Sequence, residues 1–315
     1  MKSIASAPGK VILFGEHFVV HGLQAVLGAI DKHVTVTSSK TDDGIITIES
    51  ILGNTTIKNS TSIENVDKKF RPFVYIAKKT LEKFENSGIN IKIDSQIPSC
   101  VGLGSSSACC VAATASVMNL FGKPSREQIL QMSIDAEKTI FPNTSGADCN
   151  VCTYGGIITY DKKNGLKNLD KKFDLDMIII NSNLEDSTEH VVKRVEGFKE
   201  KNSETFLSLC EEEEKLVQKS IESLENNDMT TLGKCMSQNQ MYLEQIGVSN
   251  DKLLSIIQSV ETTSLGIKLT GAGDGGCLIM LVDPKLKESA INNLESNSHE
   301  YFSVKIDHDG VQIFN

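Results

Sequence analysis

The chain lacks the features that mark several common protein classes. Its 32 Lys and Arg stand against 41 Asp and Glu, a net charge of −9, and this deficit of basic residues disfavours nucleic acids and anionic membranes as partners. No apolar run has the length of a transmembrane helix, and the first residues lack the apolar core of a signal peptide. These absences predict a cytoplasmic protein that binds neither nucleic acid nor membrane.

Cysteine is present without the spacing of a metal site. The eight cysteines are scattered, and the single Cys-x-x-Cys pair, Cys149 and Cys152, has no second pair and no histidine at zinc-ligand spacing. The pattern predicts reduced structural thiols. A redox or metal role for the pair is the less favoured alternative.

The length allows two domains. The 315 residues suffice for two hydrophobic cores, and the polar span 162–172 is the best place for a boundary. We therefore predict an N-terminal domain over residues 1–168 and a C-terminal domain over 169–315. In the second half, a strand, helices over 203–226, 229–245 and 251–261, and further strands around a helix over 284–294 predict an α+β unit with an antiparallel sheet.

Four local patterns lead to specific structural expectations. The alternating runs 34–37 and 45–48 predict an antiparallel hairpin, and 301–306 with 311–314 predict a second, closing one. The turn-rich stretch 141–150 predicts a loop that ends on Asp148. The acidic run Glu211–Glu214 predicts a solvated helix face.

A Gly-rich turn at 98–108 connects a predicted strand, 89–93, to a predicted helix. Its sequence is Pro-Ser-Cys-Val-Gly-Leu-Gly-Ser-Ser-Ser-Ala, and the common nucleotide loop Gly-x-x-x-x-Gly-Lys-[Ser/Thr] occurs nowhere in the chain. The first turn of a helix presents unpaired N–H groups and the positive end of its dipole, so this turn can bind an anion. Taken alone, the same residues fit a serine N-cap behind a tight turn equally well.

Charged residues accompany two other predicted elements. Lys10 lies at one end of the short apolar strand Val11–Phe14, and Glu16 and His17 follow its other end. Charged residues at both ends of a buried strand favour a functional role for these side chains over simple packing. Glu137 falls near the C-terminal end of a helix predicted from Ser125, where a carboxylate opposes the helix dipole. A bound cation would compensate for it, although a solvated surface glutamate is the commoner explanation.

Three Gly-punctuated motifs, at 8–17, 102–106 and 268–277, occur in the order and spacing of the GHMP superfamily of small-molecule kinases, which the chain resembles over nearly its whole length. The first motif, Gly-Glu-His-Phe-Val-Val-His-Gly at 15–22, is similar to that of the mevalonate kinases within this superfamily. The resemblance implies an α+β, two-domain fold. Its N-terminal domain would be mixed α/β, of the ribosomal protein S5 domain 2-like type, and its C-terminal domain ferredoxin-like.

The resemblance also implies roles for individual residues. Asp148 matches the catalytic aspartate, and Lys10 the lysine that pairs with it and meets the transferred phosphoryl group. Ser106 and Glu137 match the Mg²⁺ ligands. The remaining implied contacts are the triphosphate loop Gly102, Leu103, Gly104, Ser105, Ser106 and Ser107, and, around the alcohol substrate, Glu16, His17, Thr270, Gly271 and Ala272.

The implied activity is ATP- and Mg²⁺-dependent phosphorylation of mevalonate to 5-phosphomevalonate, a step of isoprenoid precursor synthesis, with a homodimer left open. A phosphomevalonate or sugar kinase is the alternative within the superfamily, and a non-catalytic ligand sensor the alternative outside enzymes. Two departures from the family pattern bear on the substrate and the phosphates. Phe141-Pro-Asn-Thr-Ser-Gly precedes Ala147 and Asp148, and Asp274 stands where a glycine is usual.

Overall fold

The computed structural model describes residues 2–84, 87–98, 102–184 and 188–314. In the first half of the chain the order of elements is β1 (Lys2–Phe14), β2 (Ala25–Thr41), β3 (Ile45–Ser50), β4 (Gly53–Lys58), α1 (Arg71–Leu81), β5 (Gly88–Ser95), α2 (Ser105–Asn119), α3 (Arg126–Glu137), α4 (Ala147–Tyr154), β6 (Ile157–Asp161) and β7 (Gly165–Leu169). The second half contains β8 (Met177–Asn181), α5 (Thr188–Lys201), α6 (Ser203–Glu225), α7 (Met229–Gln245), α8 (Asp251–Val260), β9 (Gly266–Thr270), β10 (Cys277–Leu281), α9 (Lys287–Ser296), β11 (Glu300–Val304) and β12 (Gln312–Phe314).

The first sheet has the strand order β12-β1-β2-β5-β3-β4, with β6 and β7 attached to β2. Helix α2 packs against β1 and β2 and also touches α1, α3 and α4. Its small residues, mainly alanine, valine and serine, are buried around most of its circumference, which is the pattern of a helix enclosed by other elements. The helix that follows the Gly-rich turn therefore lies inside the core, and the core fixes its N-terminus.

The second sheet is antiparallel throughout, with the order β11-β8-β10-β9. Counted along the chain, this is the fourth, first, third and second strand, the arrangement of a ferredoxin-like unit. The predicted α+β fold, with a mixed α/β first half and a ferredoxin-like second half, is confirmed. The predicted helices over 203–226, 229–245 and 251–261 correspond to α6, α7 and α8. None of the helices in the described ranges is long and apolar enough to cross a membrane.

The hairpin expected from 34–37 and 45–48 is wrong. Strand β5 lies between β2 and β3 and pairs antiparallel with the first and parallel with the second. The hairpin formed locally is β3 with β4. The alternating pattern identified each strand correctly, but Ile89 and Ile91 of β5, both buried, offer a more apolar partner from far along the chain.

The closing hairpin is also wrong, because its two strands belong to different sheets. Strand β11 pairs with β8, whereas β12 pairs with β1, with Ile4 opposite Phe314. The chain thus passes from the first sheet to the second between Leu169 and Met177, and returns to the first sheet at its last strand. Asp307 lies in the connection, where its carboxylate pairs with the His33 ring at 2.9 Å.

Cys149 and Cys152 are free thiols buried in α4. Burial raises the pKa of both thiols well above the usual range, so they stay protonated and act as small apolar side chains. Within the described residues, no group of three or more His, Cys, Asp or Glu side chains is placed to hold a metal ion.

Candidate active site

The Gly-rich turn ends in a left-handed N-cap. Helix α2 begins at Ser105, and Gly104 before it has a φ of 69°. Gly102 has a φ of 103°, and a Cβ placed there would lie 2.8 Å from the carbonyl oxygen of Thr270. The turn therefore needs glycine both for its backbone conformation and for its close contact with the third motif. Ser99–Val101, the start of the predicted turn, lie outside the described residues.

The first motif meets the same turn from the other side. The backbone N–H of Lys10 donates to the carbonyl of Leu103 at 2.9 Å, and the Lys10 side chain runs against Gly104. Lys10 was expected at the end of a short strand, but β1 is longer and contains it, with a register shift between Pro8 and Gly9. The structure thus brings together the three motifs, which are distant in sequence.

Lys10 forms an ion pair with Asp148, with 3.1 Å between Nζ and Oδ2. Asp148 was predicted to end a loop, but it lies in the first turn of α4, which begins after the left-handed Gly146. The loop ends at Gly146 in the structure, and Asp148 and Asn150, which also occur in turns, belong to the helix. The positive end of the α4 dipole adds to the Lys10 charge in stabilising the Asp148 carboxylate.

Glu137 is the last residue of α3, so it lies at the C-terminal end of the helix predicted from Ser125. Its carboxylate is buried and accepts hydrogen bonds from Ser107 Oγ and, at 2.6 Å, from Thr144 Oγ1. No ion pair to Glu137 is found within the described parts of the chain. A buried carboxylate at a helix C-terminus with only neutral donors is a site short of positive charge.

A cavity of about 700 Å³ opens above these groups. It is lined by the Gly-rich turn with Ser105, Ser106 and Ser107, and by Glu137, Thr144, Lys10 and Asp148. We call it the first cavity. Of the three serines, Ser107 is buried against Glu137, whereas Ser106 is partly exposed.

A second cavity of about 400 Å³ adjoins the first. The two share the residues Lys10, Gly102, Phe141, Asp148 and Thr188. The second cavity is lined further by Glu16, His17, Gly271 and Ala272, and by Val192 and Val195 of α5. The Lys10–Asp148 pair therefore lies where the two cavities meet. Helix α5, which supplies an apolar wall and Thr188, had no counterpart among the predicted elements.

His17 has a left-handed backbone, with a φ of 62°, which costs a non-glycine residue about 1–3 kcal/mol. Its Nε2 lies 2.6 Å from the carbonyl oxygen of Ala272. Because a carbonyl only accepts, Nε2 carries the proton and Nδ1 is left as an acceptor. Burial lowers the pKa of His17 from its usual value, so the ring is neutral at pH 7.

Glu16 is buried and forms an ion pair with Lys268, which is also buried. The Lys268 ammonium donates in addition to the carbonyl of Leu269 at 2.7 Å. Burial raises the pKa of the Glu16 carboxyl, and the neighbouring ammonium acts in the opposite direction. The other carboxylate oxygen of Glu16, Oε2, is buried without a hydrogen-bond partner in the described structure.

Glu213 corrects the prediction of a solvated acidic run. Its neighbours Glu211, Glu212 and Glu214 are exposed, but Glu213 is fully buried. It occupies a position on the buried stripe of α6, and this signal was available in the sequence. The apolar members of that stripe are Phe206, Leu209, Leu216, Val217, Ile221 and Leu224. Burial raises the pKa of Glu213 to about 7.

Thr270, predicted as a hydroxyl at the substrate cleft, is buried and engaged with the first strand. Its Oγ1 accepts from the N–H of Ile12 at 2.9 Å and donates to the carbonyl of Ile12 at 3.1 Å. This pair of bonds ties β9 to β1 across the interface between the two halves of the chain. Gly271, the next residue, approaches Gly102 closely.

Asp274, the departure from the usual glycine, keeps the left-handed backbone that a glycine would adopt, with a φ of 57°. Its carboxylate pairs with Arg194 of α5 and accepts from Asn250 at 3.0 Å. The added negative charge is thus balanced within the second half of the chain. The pair also anchors α5, and with it the wall of the second cavity, to the third motif.

Comparisons with known proteins show the family of the chain. The model of the GHMP kinases N terminal domain matches residues 72–156, and that of the GHMP kinases C terminal domain matches residues 220–299. A mevalonate kinase of Archaeoglobus fulgidus is 32% identical, covering 88% of this chain and 92% of that protein. The chain belongs to the GHMP kinases. The resemblance inferred from the three motifs is confirmed.

Solved structures lead to the same family. The mevalonate kinase of Methanococcus jannaschii superposes with a TM-score of 0.85 at 26% identity, covering 96% of this chain and 98% of that one. The mevalonate kinase of L. major in complex with R-mevalonate superposes with a TM-score of 0.81 at 25% identity, covering 98% of this chain and 96% of that one. The predicted GHMP kinase fold is that of this chain.

Proposed function

We propose that this GHMP kinase transfers the γ-phosphoryl group of ATP to the primary hydroxyl of mevalonate, giving 5-phosphomevalonate. The observation that carries the proposal is the position of the Lys10–Asp148 pair at the junction of two cavities, one lined by a helix N-terminus and the other by Glu16 and His17. The mevalonate kinases among its relatives, over nearly their full length, support the choice of acceptor.

The first cavity suits the phosphates of ATP. The N–H groups of Ser105, Ser106 and Ser107 open α2 and have no partner inside the helix, and the α2 dipole adds positive potential at the same end. Gly102 and Gly104 adopt the positive-φ backbone that brings these amides to the cavity, and a side chain at either position would collide with Thr270 or Lys10. Lys10 supplies the full positive charge on the side facing the second cavity.

Mg²⁺ fits the donor set at Glu137. A hard oxygen shell of one carboxylate, one hydroxyl, phosphate oxygens and waters suits this ion, and Glu137 is a buried carboxylate without a cationic partner in the described residues. Glu137 and Ser106 would hold the ion, with Ser107 and Thr144 orienting the carboxylate. When bound, Mg²⁺ neutralises phosphate charge.

The transfer step is assigned to Lys10 and Asp148. The acceptor hydroxyl attacks the γ-phosphorus, the bond to the β–γ bridging oxygen breaks and ADP leaves. Asp148 accepts the hydroxyl proton or orients that hydroxyl. Lys10 stabilises the negative charge of the transferred group, and its bond to Asp148 keeps both side chains at the junction. Positioning and charge neutralisation supply most of the rate enhancement in such reactions.

The second cavity suits a small branched hydroxy acid. Val192 and Val195 provide an apolar wall for the hydrocarbon part. His17 offers Nδ1 as a neutral acceptor for a hydroxyl, because its Nε2 donates to Ala272. A volume of about 400 Å³ lies within the range of small-molecule sites, about 300–1,000 Å³.

ADP release with mevalonate, phosphomevalonate, galactose and homoserine tests the proposal. Mevalonate is expected to support turnover at a kcat/KM at least about a hundredfold above the other three acceptors. Absence of turnover with mevalonate would refute the proposed acceptor, and turnover with another member of the panel would name its replacement.

A further inference from the structure

The segment Gly15–His17 belongs to the first half of the chain, yet each of its three residues is held by the second half. Lys268 holds the Glu16 carboxylate, and the Ala272 carbonyl holds the His17 ring. The third contact is made by Glu213, whose Oε1 accepts from the backbone N–H of Gly15 at 3.2 Å. Gly15 and His17 both have positive φ angles, so these contacts maintain a backbone conformation that is uncommon for ordinary residues.

Glu213 connects this segment to two helices. It lies in the middle of α6, fully buried, and its Oε1 and Oε2 accept from Asn239 Nδ2 of α7 at 2.8 and 2.7 Å. A buried carboxylate that receives several charge-assisted hydrogen bonds is firmly oriented. The position of the Gly15 amide therefore depends on how α6 packs against α7.

Glu16 and His17 line the second cavity, whereas Glu213 does not. We propose that Glu213 is a positioning residue for the acceptor. By holding the Gly15 amide and facing the Lys268 ammonium, it keeps Glu16 and His17 in place along the second cavity. The inference rests on the proposed function, since that cavity receives the alcohol.

The ionisation of Glu213 controls the strength of this hold. An ionised carboxylate accepts a stronger hydrogen bond from Gly15 than a protonated one, and the raised pKa of Glu213, about 7, places the change near neutral pH. The hydrogen bond that Gly15 donates to Glu213 is therefore stronger above pH 7 than below it, although the buried charge lowers the stability of the whole fold over the same range. The titratable groups that face Glu213 are Glu16 of the segment, Lys268 of β9, Tyr242 and Cys235 of α7, and Cys210 of its own helix.

Three of these groups do not ionise in the same range. Burial raises the pKa of Tyr242 to about 12, and it raises the pKa of the Cys235 and Cys210 thiols above their usual value. Glu16 remains paired with Lys268. Burial also raises the pKa of the Glu16 carboxyl, so substitution of Glu213 by glutamine removes the titration of Glu213 and leaves that of Glu16.

The experiment compares Glu213→Gln with Glu211→Gln, a matched control that removes the same charge from an exposed position of the same helix. Glutamine keeps the size of the side chain and an acceptor for Gly15. For Glu213→Gln, the KM for mevalonate at about pH 8 is expected to rise about tenfold over the control, with the KM for ATP changed by less than about twofold. From about pH 8 to about pH 6, the mevalonate KM should rise more in the control than in Glu213→Gln.

Amide hydrogen exchange of residues 12–20, measured without substrates, provides a readout independent of activity. Faster exchange in Glu213→Gln than in Glu211→Gln is expected. In the wild-type protein, after correction for intrinsic rates, the segment should exchange faster below pH 7 than above it, and this arm needs no variant. Equal exchange, or matching changes of the two KM values, overturns the positioning role. Failure of the wild type to phosphorylate mevalonate overturns the proposed function alone, and exchange then decides the role of Glu213.

Discussion

Two lysine–carboxylate pairs contribute to the second cavity, the first through Lys10 and Asp148 and the second through Glu16 alone, and they differ in their access to solvent. The Lys10–Asp148 pair leaves 36% of the Asp148 side chain exposed, whereas both side chains of the Lys268–Glu16 pair are fully buried. Exposure at the junction of the cavities lets a substrate reach the first pair. The second pair is enclosed between the two halves of the chain, where Lys268 fixes the position of Glu16 beside the second cavity.

The difference shows how the same chemical pair serves opposite tasks. A carboxylate that must exchange a proton with substrate needs contact with the cavity, and its lysine is shared with the phosphoryl group. A pair that is closed off gains little net stability from its mutual attraction, because both charges lost their hydration. Removal of one partner from the closed pair nevertheless leaves a buried, uncompensated charge.

The largest expected effect belongs to the pair at the junction. Asp148→Asn removes the proton acceptor while preserving shape, so kcat is expected to fall by about 10²–10⁴-fold, with ATP binding largely intact. Steady-state kinetics and equilibrium nucleotide binding check this. A near-normal rate would show that Asp148 has no role in the reaction, and the functional difference between the two pairs would then be refuted.

The closed pair is expected to determine stability. Lys268→Met should lower the free energy of unfolding by about 3–5 kcal/mol, because Glu16 is left buried without its counter-ion. Lys10→Met should cost about 1 kcal/mol or less, since Asp148 remains partly hydrated. Urea denaturation of both variants measures the difference. The double variant Glu16→Gln/Lys268→Met should recover much of the loss, and equal costs for the two lysines would contradict the comparison.

Glu213 adds a second carboxylate to the closed pair, and its pKa of about 7 is raised from the ordinary 4.5. The folded state therefore binds a proton more tightly than the unfolded state, so the contribution of Glu213 to stability falls as the pH rises from 4.5 to 7. Glu213→Gln, which resembles the protonated form, should be more stable than the wild type by about 1–2 kcal/mol at pH 8 and about equal at pH 4.5. Urea midpoints at both pH values check this, and a constant difference would refute it.

Glu137 is another buried carboxylate at the site, and unlike Asp148 and Glu16 it has no lysine as an ion-pair partner in the described residues. If Mg²⁺ takes that place, Ser106→Ala should raise the Mg²⁺ concentration for half-maximal activity about tenfold. Ser105→Ala, one position earlier in the same turn, serves as the control and should leave it unchanged. Activity measured against total Mg²⁺ at fixed ATP gives the answer, and an unaltered requirement in Ser106→Ala would exclude ligation there.

The motifs predicted which residues gather at the site, because each combines a backbone requirement with a charged or hydroxyl side chain. Gly102 and Lys10 illustrate this: Gly102 belongs to the Gly-rich turn, and the backbone N–H of Lys10 donates to the Leu103 carbonyl of that turn. Periodicity likewise located α6, α7 and α8. These features are local, so they can be read from a short stretch of sequence.

What the sequence did not predict depends on contacts between distant segments. The pairing of β5 between β2 and β3, and of β12 with β1, is decided by which strands find apolar partners. The role of Lys268 emerges only when β9 meets Glu16. Glu213 is an intermediate case, since its position on the apolar stripe of α6 indicated burial but not its partners.

The pairing of β12 with β1 has a consequence for synthesis on the ribosome. The outer edge of β1 at Ile4, Ala5 and Ser6 is covered by residues Gln312–Phe314, so this part of the edge stays open from the time β1 emerges until almost the whole described chain has been translated. An open strand edge can pair with a neighbouring nascent chain. The first sheet therefore gains its edge strand β12 only after all four strands of the second sheet have been synthesised.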